Sequence, residues 1–162
     1  MSERQFVDRF GGIYEHSPWV AERAARVLDD TATIEQIANI MADCVDNADV
    51  EQQLALIRAH PDLAGRAQIA GELTAESSEE QASAGLDRCT PGEYERFQAL
   101  NARYKDKFGF PFVMAVRGSD RGQILAAFEQ RLQHDYATEF ETALSEIHKI
   151  ARLRLEAMEA ET

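Results

Sequence analysis

Apolar residues recur at spacings of three and four along most of the chain, the pattern that one buried face of an amphipathic helix produces. Clear stripes run from Tyr94 to Phe108, from Ile124 to Leu132 and from Phe140 to Met158. Only Phe110 to Val116 looks extended, as a short apolar run. One such run cannot form a sheet, so the pattern predicts an all-α fold of about eight helices.

Helix start signals divide the chain at the gaps between these stripes. In each, a serine or threonine stands three residues before a glutamate or glutamine, the pattern of a capping box. The pairs are Ser2 with Gln5, Thr33 with Gln36, Thr90 with Glu93, and Thr138 with Glu141. Ser17 before Pro18 and Thr74 before Ala75 are further predicted caps. Without a linker or an internal repeat, residues 1–162 are predicted to form a single domain.

The charge balance excludes some classes of partner. The sequence has 17 basic and 29 acidic residues, a net charge of −12. Nucleic acids and anionic membranes reward clustered Lys and Arg, so neither is expected as a partner. No apolar run approaches the roughly 20 residues that span a bilayer. Cys44 and Cys89 follow no recognisable signal peptide, which predicts reduced thiols in the cytoplasm.

His60 is the first candidate for proton chemistry. Pro61 disfavours the α conformation at the residue before it, so the helix predicted over 50–59 should end near His60. The dipole at a helix C-terminus favours the protonated imidazole, which could exchange a proton near neutral pH. The alternative is a histidine that only closes the helix. Asp62 is predicted to have a structural role, binding nearby backbone amides.

Ser77, Glu80 and Gln81 form a second candidate group. Their spacings of three and four place all three on one face of the helix predicted after Thr74. Such a face can offer several hydrogen bonds to a ligand, or it can simply be solvated. Small residues that would let another backbone come close follow in the sequence: Ala82, Ala84 and Gly85.

The third candidate segment is FGFPFVMAVRG at 108–118. Phe110, Phe112 and Val116 can wall an apolar pocket, and Pro111 stiffens the run. An extended backbone can also present its N–H and C=O groups to a planar heterocycle. Arg117 offers a fork of donors suited to a carboxylate, and it could overcome the general negative field for an anionic substrate. The alternative is a buried connector with Arg117 in a surface ion pair.

Other catalytic schemes lack their residues in this sequence. There is no H-E-x-x-H, and the four histidines have no recognisable metal-ligand spacing. A nucleophile elbow, a phosphate-binding loop and a dinucleotide fingerprint are also missing. The sequence therefore predicts neither a metal nor an organic cofactor.

Taken together, the three segments resemble one enzyme family. The matching pieces are HPDLAG at 60–65, S-x-x-E-Q-x-x-A-G-L at 77–86, Tyr104 followed by KFGFPFV at 107–113, and Arg117. In order and spacing they resemble the decarboxylases of 2-oxo-4-hydroxy-4-carboxy-5-ureidoimidazoline (OHCU), enzymes of uric acid degradation. The dense part of the resemblance spans residues 57 to 118.

The resemblance implies an all-helical, cofactor-independent homodimer that decarboxylates OHCU to (S)-allantoin. It implies catalytic roles for His60, Glu80 and Arg117. It also implies a substrate site that the remaining motif residues line with side chains or backbone: Pro61, Ser77, Gln81, Phe110, Phe112, Val113, Met114, Ala115 and Val116.

Two other functions remain open at this point. A family member could act on a different ureido or hydroxy acid, because pocket shape would decide the substrate. The chain could instead be a catalytically silent helical interaction module. The silent module predicts no need for His60, Glu80 and Arg117 to converge on one cavity.

Overall fold

The computed structural model describes residues 1–65 and 71–160, and over these residues it consists of helices and connecting turns without a strand. This confirms the prediction of an all-α fold of about eight helices. The helices are α1 (Glu3–Phe10), α2 (Trp19–Ala25), α3 (Ile34–Asp46), α4 (Val50–Arg58), α5 (Ala75–Ser83), α6 (Pro91–Phe108), α7 (Arg121–Arg131) and α8 (Tyr136–Ala160). A short 3₁₀ turn, Leu86–Arg88, lies between α5 and α6.

Most helices begin where the sequence predicts. Ser2, Thr33 and Thr90 each form a complete capping box with the residue three positions on. The Thr74 hydroxyl accepts the Ser77 N–H at 3.2 Å and starts α5. These hydrogen bonds satisfy amide groups that the first turn of a helix otherwise leaves unpaired.

Two predicted caps are wrong. Pro18, not Ser17, is the cap residue of α2, and the Ser17 hydroxyl instead donates to the Glu15 carbonyl at 2.9 Å. Helix α8 begins at Tyr136, two residues before Thr138. The Asp135 carboxylate accepts the Thr138 N–H at 2.8 Å, and a short carboxylate is as good a cap as a hydroxyl.

The chain forms two compact units, one of which comprises Met1–Ala59 and the part of α8 from Ile147 onward. Phe6, Phe10 and Met41 belong to its apolar core. A buried ion pair joins Arg154 to Glu15, with 3.2 Å between Nη2 and Oε2. None of the described helices is long and apolar enough to cross a bilayer.

The second unit, His60–Glu146, contains all the predicted site residues. Its core is aromatic: the Tyr104 ring meets Phe108, Phe110, Phe112 and Phe128 with centroids 4.6 to 6.1 Å apart. These contacts fix α6, α7 and the run between them against one another. The prediction of a single domain over 1–162 stays a prediction, and residues 66–70 and 161–162 lie outside the described residues.

Candidate active site

The HPDLAG segment forms a tight turn directly after α4. Ala59 caps the helix, and His60 follows with only 8% of its surface exposed. Ala64 adopts φ +52, a left-handed conformation that costs a non-glycine residue energy. At Gly65 a Cβ would lie 2.8 Å from the Asp62 Cβ, so the turn needs glycine there for space. The backbone conformation of this turn therefore restricts which residues can stand at positions 64 and 65.

Gln81 joins this turn to α5. Its Oε1 accepts the Ala64 N–H at 3.0 Å, and its Nε2 donates to the Asp62 carbonyl at 3.2 Å. The side chain is 2% exposed. Since an amide has two donors and two acceptor sites, these two bonds use one of each. Two motifs that stand 17 residues apart in the sequence are thus joined through one side chain.

Helix α5 presents the polar face that the sequence predicts. Ser77 is buried like Gln81, and Glu80 is half-buried. The helix ends before Gly85, which has φ +78. The Gly85 carbonyl accepts Arg121 Nη1 at 3.0 Å, and a Cβ at this position would lie 2.9 Å from the same nitrogen. The sequence predicts the approach of another backbone here, whereas the group that approaches Gly85 is the guanidinium of Arg121.

The run from Phe110 to Val116 is anchored in the core. Phe112 stacks on Phe128 with centroids 3.8 Å apart, and Phe110 meets the rings of Tyr136 and Phe140. Both Phe110 and Phe112 are 1% exposed. Their rings are packed among aromatic side chains, and contact with a substrate stays a prediction for them.

Two backbone groups of this run already have protein partners. The Val113 carbonyl accepts Arg131 Nη1 at 2.6 Å, and the Ala115 N–H donates to Glu146 Oε1 at 3.2 Å. Met114 and Ala115 are half-buried, whereas Val113 and Val116 are buried. Substrate recognition by this backbone, as predicted, would depend on the groups that remain accessible.

Arg117 ends the run and reaches α5. Its Nη2 lies 3.6 Å from Glu79 Oε1, one residue before Glu80, and both side chains are exposed. The ion pair places the predicted anion-binding guanidinium next to the helix that carries Ser77, Glu80 and Gln81. The described contacts therefore link the turn to α5 and α5 to Arg117. The convergence of His60, Glu80 and Arg117 on one substrate stays a prediction.

Comparison with known proteins decides the family. The family model described as OHCU decarboxylase matches residues 1–156. The chain belongs to the OHCU decarboxylase family. A relative named 2-oxo-4-hydroxy-4-carboxy-5-ureidoimidazoline decarboxylase, from Haloferax volcanii, is 50% identical over 155 residues, which is 96% of this chain and 89% of the relative.

Two further similarities support the OHCU decarboxylase assignment. A relative with the same name from Halalkalicoccus jeotgali is 49% identical over 156 residues, 96% of this chain and 86% of its own length. The solved structure described as (S)-allantoin synthase has a TM-score of 0.77 and 36% identity. That similarity covers 97% of this chain and 50% of the other.

Sequence reasoning missed a buried charge cluster in the His60–Glu146 unit. Arg131 Nε donates to Glu139 Oε1 at 2.8 Å, the Tyr104 hydroxyl donates to the same oxygen, and His134 Nδ1 lies 2.9 Å from Oε2. Burial, together with the hydrogen bond to Glu139, raises the pKa of Tyr104. Arg131 also lies over the Phe112 ring, with Cζ 4.3 Å from the centroid.

This cluster holds the Phe110 to Val116 run in place through the Val113 carbonyl. A signal for it exists in the sequence, because Arg131 lies three residues after Phe128 on the apolar face of α7. A charge on such a face needs a buried partner. The identity of that partner, Glu139 at the start of α8, depends on tertiary structure.

Proposed function

We propose that this protein decarboxylates OHCU stereoselectively to (S)-allantoin, without a metal or an organic cofactor. The decarboxylase activity in urate degradation follows from the family match over residues 1–156 and the relatives at 49% and 50% identity. The proposal adds the handedness of the product, the independence from cofactors and the role of each residue.

The observation that carries the residue assignments is the link through Gln81. It joins the turn after His60 to the helix that carries Glu80, and that helix in turn meets Arg117 through Glu79. A proton-transfer group, a carboxylate and a cation thereby come from segments that are linked to one another, as a site for an anionic substrate requires.

The chemistry of OHCU explains why the site needs no external electron sink. Most decarboxylases use a cofactor to accept the electron pair left by carbon dioxide. In OHCU the carbon that bears the carboxylate adjoins an imine, so the pair from the broken C–C bond flows into the ring. The imine nitrogen takes up one proton from outside the substrate, and the former imine carbon gains a second proton while the hydroxyl loses one. The protein must orient the ring, move these protons and select the face that is protonated.

His60 moves the proton in this scheme, taking it from the substrate hydroxyl or relaying it to the ring. Arg117 binds the carboxylate or a carbonyl through its fork of donors. Glu80 accepts hydrogen bonds from ring or ureido N–H groups. Ser77 and the remaining hydrogen-bonding groups of the Gln81 amide hold the ureido arm.

Backbone groups complete this proposed substrate site. Pro61 and the accessible groups of residues 110–116 border the substrate ring. Hydrogen bonds to the rest of the unit already hold both segments in place. We further propose a homodimer, which the family resemblance supports. Cytoplasmic location is supported by the two cysteines, Cys44 and Cys89, which are both free thiols.

Circular dichroism of the allantoin formed from urate tests the function directly. Uricase and hydroxyisourate hydrolase generate OHCU in place, and the decarboxylase is added or omitted. Because OHCU also decays unaided, the handedness of the product is the informative signal. Rapid formation of optically active (S)-allantoin is expected. A racemic product at the uncatalysed rate would overturn the proposed function.

Matched histidine substitutions test the catalytic assignment. His60→Asn should lower kcat by about 10²–10⁴-fold, the usual value of a positioned acid–base group. His16→Asn is the control, because His16 is exposed at φ +47, a conformation that asparagine tolerates. Equal activity of the two variants would contradict the proton role.

Glu80→Gln separates binding from chemistry, because a change in KM alone would make Glu80 a binding group.

A further inference from the structure

One face of α6 binds the turn that follows His60. Gln98 Nε2 donates to the Ala64 carbonyl at 2.7 Å, and Asn101 Nδ2 donates to the Leu63 carbonyl at 2.9 Å. The Lys105 ammonium donates to Asp62 Oδ2 at 2.7 Å. The three donors are spaced by three and four residues, and they meet three consecutive residues of the turn in reverse order.

The turn depends on these side chains for its backbone hydrogen bonds. Gln81, Asn101 and Gln98 donate to the carbonyls of residues 62, 63 and 64, in that order. Leu63 and Ala64 are 6% and 2% exposed, so water is a poor substitute for those donors. The left-handed conformation of Ala64 must also be maintained by its surroundings. The position of the turn is therefore set by α5 and α6 rather than by the turn itself.

Asn101 shows that this arrangement is not optimised for stability alone. The residue is 3% exposed, and within the described part of the chain its Oδ1 is the buried side-chain atom without a hydrogen-bond partner. A buried acceptor left unpaired costs stability. The amide is therefore better explained by the one contact it does make, to the Leu63 carbonyl.

The ion pair between Lys105 and Asp62 is likewise not explained by its contribution to stability. The side chains of Lys105 and Asp62 are 47% and 27% exposed, and an ion pair at that exposure adds little to stability. It does fix the residue two positions after His60.

We propose that Gln98, Asn101 and Lys105 are positioning residues that set the geometry of the His60 turn for catalysis. The proposal rests on the proposed role of His60. It requires that loosening the turn impairs the chemical step more than substrate binding or folding.

The test compares Asn101→Leu with the parent in the circular dichroism assay. Leucine has a similar volume, removes the donor to Leu63 and removes the unpaired oxygen. A displacement of about 1 Å in a catalytic group can cost roughly 10²-fold in rate. We expect kcat to fall at least about tenfold, with KM and the midpoint of thermal unfolding close to those of the parent.

Lys105 provides a variant that does not touch the core. Lys105→Met should lower kcat, and Lys105→Arg should restore it by keeping a cation within reach of Asp62. Arg103→Met is the matched control, because Arg103 is an exposed cation on the same helix. If Lys105 matters only through the total charge, Arg103→Met should lower kcat as much as Lys105→Met does, and that result would contradict the proposal.

The outcomes separate this proposal from the proposed function. Parent-like kcat in both Asn101→Leu and Lys105→Met would overturn the positioning role, while the decarboxylase function would stand. A parent that forms no (S)-allantoin would overturn the function itself. If Asn101→Leu fails to fold, Gln98→Leu and Lys105→Met decide the question, and a loss of stability without loss of kcat in either would contradict the proposal.

Discussion

Two of the three segments of the His60–Glu146 unit that carry predicted site residues are held by different kinds of interaction. The turn at 60–65 is held by neutral amides and one half-exposed ion pair. The run at 110–116 is held by stacked aromatic rings and by Arg131, whose partner Glu139 is fully buried. One segment is fixed by directional contacts of small energy, and the other by contacts that are costly to break.

This difference predicts that stability and activity respond separately in the two regions. At the turn, Asn101→Leu exchanges one unpaired buried acceptor, Asn101 Oδ1, for another, the Leu63 carbonyl, so its net effect on stability should be small. Breaking a buried ion pair leaves a charge in an apolar environment. Substitutions around the run should therefore lower the free energy of unfolding, whereas substitutions around the turn should mainly lower kcat.

The largest effect is expected at Arg131. Arg131→Met removes the buried cation that pairs with Glu139 and should lower the free energy of unfolding by about 3–5 kcal/mol. Urea denaturation followed by far-UV circular dichroism measures this loss. The double variant Arg131→Met with Glu139→Gln should recover part of it, since the uncompensated charge is gone. A loss below about 1 kcal/mol in the single variant would mean that this buried pair contributes no more than a surface ion pair. The proposed difference between the run and the turn would then be wrong.

Two glycines with positive φ give the next largest effect. Gly85 ends α5 at φ +78, and Gly118 follows the run at φ +87. Alanine at either position costs about 1–2 kcal/mol for the left-handed conformation. At Gly118 the new Cβ meets nothing within 4 Å, whereas at Gly85 it lies 2.9 Å from Arg121 Nη1. We expect Gly85→Ala to lower the free energy of unfolding more than Gly118→Ala.

Removing the arginine isolates the steric part of this difference. In an Arg121→Met background, Gly85→Ala should cost the same as Gly118→Ala does in the parent. Chemical denaturation of the four variants measures both quantities. An equal cost at the two glycines in the parent would mean that Arg121 moves aside freely.

A smaller effect is expected where α5 meets Arg117. If Arg117 binds the anionic substrate as proposed, Glu79 competes for the same guanidinium, and Glu79→Gln should lower KM by roughly twofold, in line with an exposed ion pair. The difference should shrink at high salt, which screens exposed charges. Glu76→Gln, at an exposed position on the same helix, controls for the change in net charge. A higher KM in Glu79→Gln would instead indicate that Glu79 orients Arg117 for binding.

The smallest effect concerns the start of α6. Hydrogen bonds from the Thr90 backbone and from Arg121 hold the pKa of Glu93 below its usual range. A lowered folded-state pKa contributes stability above the ordinary pKa of glutamate, and this contribution is lost as the pH falls through the folded value. The parent should be more stable than Glu93→Gln near neutral pH, and the difference should vanish in acid. A difference that grows in acid would contradict this linkage.

Local signals in the sequence predict the elements well. The Thr90 capping box, the shared face of Ser77, Glu80 and Gln81, and the helix end before His60 depend only on neighbouring residues. Asn101 lies in the apolar stripe of α6, where a buried amide could be suspected. That it donates to Leu63, 38 residues away, could not be read from spacing.

The misplaced start of α8 has a similar cause. Asp135 and Thr138 are both good caps, and the choice between them is set by where Glu139 must lie to meet Arg131 and Tyr104. Local propensity offers alternatives of nearly equal energy, and packing decides among them.

The turn after His60 is held mainly by hydrogen bonds to its main-chain carbonyls. A match to the HPDLAG sequence therefore does not establish that the turn has its hydrogen-bond donors. Any residue that tolerates the conformation of Ala64 would present the same carbonyl to Gln98, and any residue at 63 would present one to Asn101. A related chain could therefore retain the complete HPDLAG sequence but carry apolar residues at positions 98 and 101. It would be assigned to this family, although its turn would lack two side-chain hydrogen-bond donors. Reliable annotation of divergent members would need to score those helix positions together with the signature.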